Sequence, residues 1–238
     1  MWDTWSETKR YGEPDPFEHQ LGPAFLDLVR GEFGRGARTV IDVGTGRGRV
    51  ALEVAPRARE IVGLDVDPQA VEEARAAARR HAVTNVRFEV ADCERVDLLE
   101  AARLDTVDLV TMHLCVSEPM IHRAAHALRA GGAVAGVMHE ASRWKETGMP
   151  SHYAATREQL EEALAAAHLR LERGRLETSV MRFLDAAECE RYLREGPSWN
   201  AWQHNGRWAS WRDRIERRPG HPIELTRSHL VFLARKID

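Results

Sequence analysis

The sequence predicts an α/β fold: a doubly wound, mostly parallel, seven-stranded sheet whose last strand runs antiparallel. Three observations carry this prediction. Short apolar runs rich in β-branched residues alternate with helical segments, the pattern of a parallel sheet covered on both faces. The first of these runs, Thr39 to Val43, passes through Gly44, Gly46 and Gly48 directly into a helical stretch that Pro56 closes. Two strand-compatible segments near the end, Leu169 to Phe183 and Leu225 to Ala234, have no regular helix predicted between them, so they pair antiparallel.

In chain order, residues 1 to 15 are polar apart from Trp2, Trp5 and Tyr11. They form an arm that is either loosely docked or folded over a ligand, and in the second case Tyr11 joins the ligand contacts. Phe17 to Phe33 places Phe17, Leu21, Phe25, Leu28 and Val29 on one helical face before Gly34 and Gly36. Ile61 to Leu64 is the second strand, and Pro68 opens a helix running to about His81, with Asp67 as its N-cap. Val86 to Val90 is the third strand and Val107 to Met112 the fourth. Glu118 to Leu128 is a helix with Ser117 as N-cap and Gly131-Gly132 closing it, and Ala133 to Met138 is the fifth strand. Thr156 and Gln159 stand in capping-box spacing ahead of a helix to His168. Residues 185–222 break the repeat and read as an irregular insertion or lid carrying Trp199, Trp202, Trp208 and Trp211. Two units result: 1–37, an arm and helix, and 38–238, the main domain.

Bulk composition narrows the function. With 43% apolar and 30% charged residues the chain is an ordinary globular protein. Its net charge of −3 gives no general reason to expect nucleic acid or an acidic membrane as partner. The three cysteines, Cys93, Cys115 and Cys189, have no paired spacing, which argues against a disulfide framework or a zinc knuckle. No signal peptide or membrane span is read, so a reducing cytoplasm is the expected location. No carboxylate set has metal-ligand spacing.

The glycine turn decides the ligand. A dinucleotide turn needs G-x-G-x-x-G, but Arg49 occupies the third glycine's place, and a phosphate loop needs a Gly-Lys-Ser/Thr that is absent. Asp42, two residues ahead of Gly44, would repel phosphates and accept hydrogen bonds from an ammonium or from water bound to one.

Asp42-Val43-Gly44-Thr45-Gly46-Arg47-Gly48 resembles the D/E-x-G-x-G-x-G motif of the class I S-adenosylmethionine-dependent methyltransferases, a family with a Rossmann-like fold. The resemblance implies that Asp42, Gly44, Thr45, Gly46 and Gly48 cradle the methionine part of S-adenosyl-L-methionine. It implies that Asp65, with Val66 beside it, holds the ribose hydroxyls, and that Asp92 and Cys93 meet the adenine. Asp108 and Leu109 to His113 resemble the fourth-strand motif below the methyl group, and Ala130-Gly131-Gly132 the turn before strand five. Five motifs in order span roughly residues 38 to 140.

His113 lies where it contacts cofactor or acceptor, or else serves structure, and Cys115, Ser117 and Glu118 line the same strand end. His139 and Glu140 point at the cleft past strand five, followed by Arg143, Trp144, His152 and Tyr153. His113, His139 and Glu140 are the candidates for a general base or acceptor-orienting group. The four late tryptophans form either a satellite core or aromatic walls for the acceptor. The expected activity is methyl transfer to O, N or C of a small molecule. The alternatives are an RNA-directed methyltransferase, for which the arginines from Arg207 to Arg218 are the supporting feature, and a non-catalytic S-adenosylmethionine-binding module. A nicotinamide oxidoreductase is disfavoured by the glycine spacing, and a homodimer stays open.

Overall fold

A computed structural model describes residues 2–12, 21–149, 154–195 and 199–237. The predicted helix start at Phe17, and His152 and Tyr153, lie outside these residues. The strands are β1 Trp2–Arg10, β2 Thr39–Val43, β3 Glu60–Asp65, β4 Val86–Val90, β5 Val107–His113, β6 Leu128–Glu140, β7 Ala154–Ala155, β8 Leu169–Phe183 and β9 Ile223–Lys236. The helices are α1 Pro23–Gly34, α2 Arg49–Val54, α3 Pro68–Arg80, α4 Leu98–Ala102, α5 Glu118–Ala127, α6 Arg157–Ala166, α7 Ala186–Glu195, α8 Trp199–His204 and α9 Arg207–Glu216.

Among the described residues the sheet has nine strands rather than seven. Its order is β1-β8-β9-β6-β5-β2-β3-β4, with β7 pairing the end of β6. The neighbours from β6 through β4 are parallel, and β9 runs antiparallel to both β6 and β8.

The first extra strand is β1. Residues 2 to 10 do not form a loose arm but pair parallel with β8, from Trp2 opposite Gly174 to Arg10 opposite Arg182. As an edge strand it hydrogen-bonds on one side and turns Trp5, Glu7 and Lys9 inward, so its pattern is polar. The second is the two-residue β7.

Local chemistry accounts for most boundaries. Asp67 caps α3 by accepting from the Gln69 N–H at 2.9 Å, with Pro68 in the first turn and Arg79 and Arg80 in the last. Thr156 and Gln159 complete the predicted capping box of α6. Ser117 takes the N-cap backbone conformation of α5 but makes no cap bond, and its hydroxyl is buried without a partner among the described residues. Pro119 removes the N2 N–H, one of the two donors such a cap can use. α5 ends at Ala127, earlier than the glycine pair implied, and β6 begins at Leu128 with a shifted register opposite Val107.

Because successive strand residues face opposite sides, β2 feeds two cores. Val40 joins Phe25, Val29 and Phe33 of α1 and Val71 and Ala74 of α3, whereas Ile41 and Val43 join Ile121 of α5 and Leu160 and Leu164 of α6. The expected irregular insertion is helical. Its α7, α8 and α9 place Cys189, Leu193, Trp202, Trp208 and Trp211 in a third core with Met181, Phe183 and Leu225.

Candidate active site

The parallel strands end along one edge of the sheet, where open α/β folds bind ligands. The glycine turn follows β2 there. Gly48 has φ +80, and a Cβ on it would lie 2.7 Å from the Phe88 ring, so only glycine lets the chain turn so close to β4. Gly46, at φ +53, is the opposite case: its missing side chain opens onto free space. Gly44 packs against Cys115, whose Sγ donates to the Val43 carbonyl at 3.0 Å.

Asp42 is 1% exposed, and its two oxygens accept from Thr45 Oγ1 at 2.6 Å and Thr111 Oγ1 at 2.7 Å. It therefore ties the turn to β5 rather than facing a ligand ammonium. The Thr45 N–H also donates to the Leu64 carbonyl at 3.0 Å, fastening the turn to β3. Burial, partly offset by the two threonine bonds, pushes the Asp42 carboxyl up from 3.8 to about 6.

This burial has a testable sign. The folded protein holds the Asp42 proton more tightly than the unfolded chain, so the contribution is fully present below pH 3.8 and lost as the pH rises through about 6. At pH 7.5 the ionised group costs the fold on the order of 3 kcal/mol. Asp42→Asn should accordingly match the wild type near pH 4 and exceed it in urea-unfolding stability by about 1–3 kcal/mol at pH 7.5. An equal difference at both pH values would show that folding does not raise the Asp42 pKa.

Asp65 ends β3. Its Oδ2 accepts from the Gly46 N–H at 2.7 Å and its Oδ1 from the Asp67 N–H at 3.0 Å. Val66 beside it is 65% exposed, an apolar surface bare at the cleft. Asp92, beyond β4, accepts from the Glu94 N–H at 3.1 Å and pairs with Arg95 at 3.3 Å. Cys93 is buried, which pushes its thiol up to about 11, so it stays protonated. An open position at Gly46 beside an acceptor-only carboxylate that reaches the turn is a setting that suits a neutral diol and a polar tail. These residues fit S-adenosylmethionine.

Tyr11 is not brought to the turn. β1 lies five strand positions from β2, about 24 Å at sheet spacing. The Tyr11 ring packs on Phe183 and Tyr192, and its hydroxyl donates to Glu195 Oε2 at 3.0 Å.

The three base candidates separate. His113 ends β5, packed on Phe25 at 5.3 Å between ring centroids, and burial with Arg49 nearby lowers its pKa to about 4. His139 stands opposite His229 with rings 5.4 Å apart, and burial and Arg143 lower it to about 3. Both imidazoles are neutral at pH 7 and too weakly basic to serve as efficient bases there, so they are suited to orienting an acceptor. Glu140 emerges on the other face of β6 and is held by the Ser142 N–H at 2.8 Å and the Ser142 hydroxyl, which meets Ser228 Oγ at 2.9 Å. The structure thus breaks up the expected His139/Glu140 couple.

Arg143, Arg227 and His229, which the sequence did not single out as site residues, adjoin the same strand ends. Arg143 Nη1 lies 3.3 Å from His229 Nε2, and its guanidinium sits 4.1 Å over the Trp144 ring. Arg227 Nη1 donates to the Tyr192 hydroxyl at 3.4 Å. The available signal was a polar pair, Arg227 and His229, in an otherwise apolar alternation from Leu225 to Leu233. Trp144 meets Trp202 edge-on at 4.8 Å and joins the cleft to the helical insertion. Among the described residues no three His, Cys, Asp or Glu side chains assemble as a metal-ligand set, and no helix is long and apolar enough to cross a membrane.

Comparison with known proteins agrees with this geometry. A family model described as a methyltransferase domain matches residues 35–194. The ubiquinone biosynthesis O-methyltransferase of Azoarcus sp. is 30% identical over 138 residues, 56% of this chain and 54% of that protein. An uncharacterized RNA methyltransferase of Halalkalibacterium halodurans is 41% identical over 61 residues, 26% of this chain and 13% of that protein. The match therefore spans about half of the first relative and a small part of the second. The crystal structure of a putative methyltransferase from Bacillus halodurans superposes with a TM-score of 0.65 at 18% identity, covering 91% of this chain and 100% of that one, and so shares the fold. A cofactor turn of this form within a sheet of this order, matched by the family model over more than half its length, makes the chain a member of the methyltransferase domain family, of the class I, S-adenosylmethionine-dependent kind.

Proposed function

We propose that the protein transfers a methyl group from S-adenosyl-L-methionine to O, N or C of a small-molecule acceptor. The observation that carries this reading is the clamp formed by the glycine turn and Asp65, with the Gly46 N–H and the carboxylate 2.7 Å apart at the sheet edge. When bound there, S-adenosylmethionine supplies a methyl group on a positively charged sulfur. The chain's own residues have to align the acceptor and exclude water. Gly44, Gly46 and Gly48 leave room along the backbone, Thr45 and Asp42 hold the turn in shape, and Asp65 with Val66, and Asp92 with Cys93, receive the ribose and adenine. His113 and His139, both neutral, orient the acceptor by hydrogen bonding, and Trp144 backed by Trp202 shields one side.

The similarity to the Azoarcus ubiquinone biosynthesis O-methyltransferase supports a small-molecule acceptor. So does the net charge of −3, since RNA binding draws mainly on excess positive charge. Titration calorimetry tests the reading. S-adenosylmethionine and S-adenosylhomocysteine should bind with micromolar affinity and NAD⁺ should give no heat. Binding of NAD⁺ alone would overturn the proposal, and tight, salt-dependent tRNA binding would move the acceptor to RNA.

A further inference from the structure

Among the described residues the cleft holds a half-buried cation, Arg143, with no anion beside it. Its Nε is shielded from solvent and has no hydrogen-bond partner among the described residues. The neighbours acting on its charge are Arg227, Arg207 and the Tyr192 phenol, and among the described residues no carboxylate pairs with it. Burial and the repulsion of Arg227 lower it to about 9. Elsewhere in the sheet two arginines are paired with acids: Arg235 clamps Glu32 and Glu172 at 2.8 Å each, and Arg175 holds Glu177 at 3.3 Å. Glu177 is the carboxylate opposite His229 in register, so that acid is already committed to Arg175. An unpaired buried charge costs a fold several kcal/mol, and such a cost is retained where a ligand removes it.

The groups around Arg143 are all donors or able to donate. His139 Nδ1 is also buried without a partner among the described residues, His229 accepts from Arg143 Nη1 at Nε2 over 3.3 Å and so carries its proton on Nδ1, and both rings are held neutral by burial and the neighbouring arginines. The position relative to the cofactor turn is set by the sheet. His113 on β5 lies opposite Val137, His139 is two residues further along β6, and His229 is its partner on β9. From the end of β5 to β9 is two strand spacings, about 10 Å. A molecule of one or two rings spans that gap.

We propose that the acceptor carries an oxyanion, a carboxylate or a phosphate, which Arg143 receives along its Nε edge with His139 and Arg227 beside it, while the nucleophile at the other end reaches His113. The location of the nucleophile rests on the methyl-transfer reading; the anion site does not. A guanidinium presents parallel N–H donors that match two oxygens of either group. Trp144, stacked on the same guanidinium, gives the acceptor an apolar wall.

The test uses the full chain, with and without S-adenosylhomocysteine, titrated with benzoate, phenyl phosphate and the neutral benzamide, and followed by tryptophan fluorescence and by Tm. At least one anion should bind ten or more times more tightly than benzamide and raise Tm, and the tighter of the two identifies the group as carboxylate or phosphate. Arg143→Met should abolish that preference without lowering the ligand-free Tm, and Arg143→Lys should retain part of it. S-adenosylhomocysteine affinity should stay within about twofold in both variants. Equal binding of all three probes, or a preference that survives Arg143→Met, overturns the proposal. A ligand-free Tm lowered by several degrees in both variants, with no anion preference in the wild type, assigns Arg143 to structure instead. Failure of S-adenosylhomocysteine to bind, with the anion preference intact, overturns only the methyl-transfer reading.

Discussion

Asp65→Ala should reduce S-adenosylmethionine affinity about a hundredfold, roughly 2.7 kcal/mol. A vicinal diol donates two hydrogen bonds, and a carboxylate at the end of a buried strand accepts both with fixed geometry. Hydrogen bonds to charged acceptors contribute about 1.5–3 kcal/mol each, and water entering the vacated space recovers part of the sum. The substitution also removes the acceptor for the Gly46 and Asp67 N–H groups, which loosens the turn before any ligand arrives. Asp65→Asn keeps the size and one acceptor oxygen and should lose about tenfold. Calorimetry on the two variants measures both values. An affinity unchanged by the alanine would place the ribose elsewhere.

Trp202→Ala should have the largest effect on structure, about 3–5 kcal/mol within the helical insertion. Trp202 is 1% exposed, meets Trp144 edge-on, and lies beneath the Arg207 guanidinium at 5.6 Å. That arginine in turn donates to Thr147 Oγ1 at 2.9 Å and to the Met149 carbonyl at 2.6 Å, fastening α9 to the segment after β6. Emptying the centre of this small core leaves a cavity that the short helices α8 and α9 cannot close. Trypsin should then cut at the arginines of α9 much faster than in the wild type, while S-adenosylmethionine affinity changes by less than about threefold. Trp202→Phe should cost roughly half as much. Equal proteolysis of variant and wild type would show that the insertion is held by its other contacts.

The contrast between these two positions explains how much the sequence disclosed. Asp65 was legible because its neighbours are fixed by the backbone: a strand end, a glycine turn and a helix start recur at set spacings, so chemistry and position are read together. The strands β2 to β5, the capping box of α6 and the antiparallel β8–β9 pair were legible for the same reason. Trp202 was not placed because its environment is assembled from residues far apart in sequence. The helices of the insertion are short, yet Trp208, Trp211 and Ile215 do keep helical spacing and carried a usable signal. The polar alternation of β1 concealed an edge strand whose inward side chains are charged, as at Glu7 and Lys9. Arg143 escaped for a different reason. What marks it is the absence of a counter-charge, and that shows only once its neighbours are in place.

The pairing of β1 with β8 also sets an order of events. Among the described residues, 2 to 10 pair only with residues 174 to 182, which in turn pair with β9. An early segment of the chain must therefore remain unpaired while the central sheet forms, and long-range closure of this kind slows folding. During that interval β8 exposes a row of backbone donors and acceptors, an edge able to recruit a strand from another molecule. Aggregation during refolding should thus originate at the β8 side of the sheet, away from the cofactor turn.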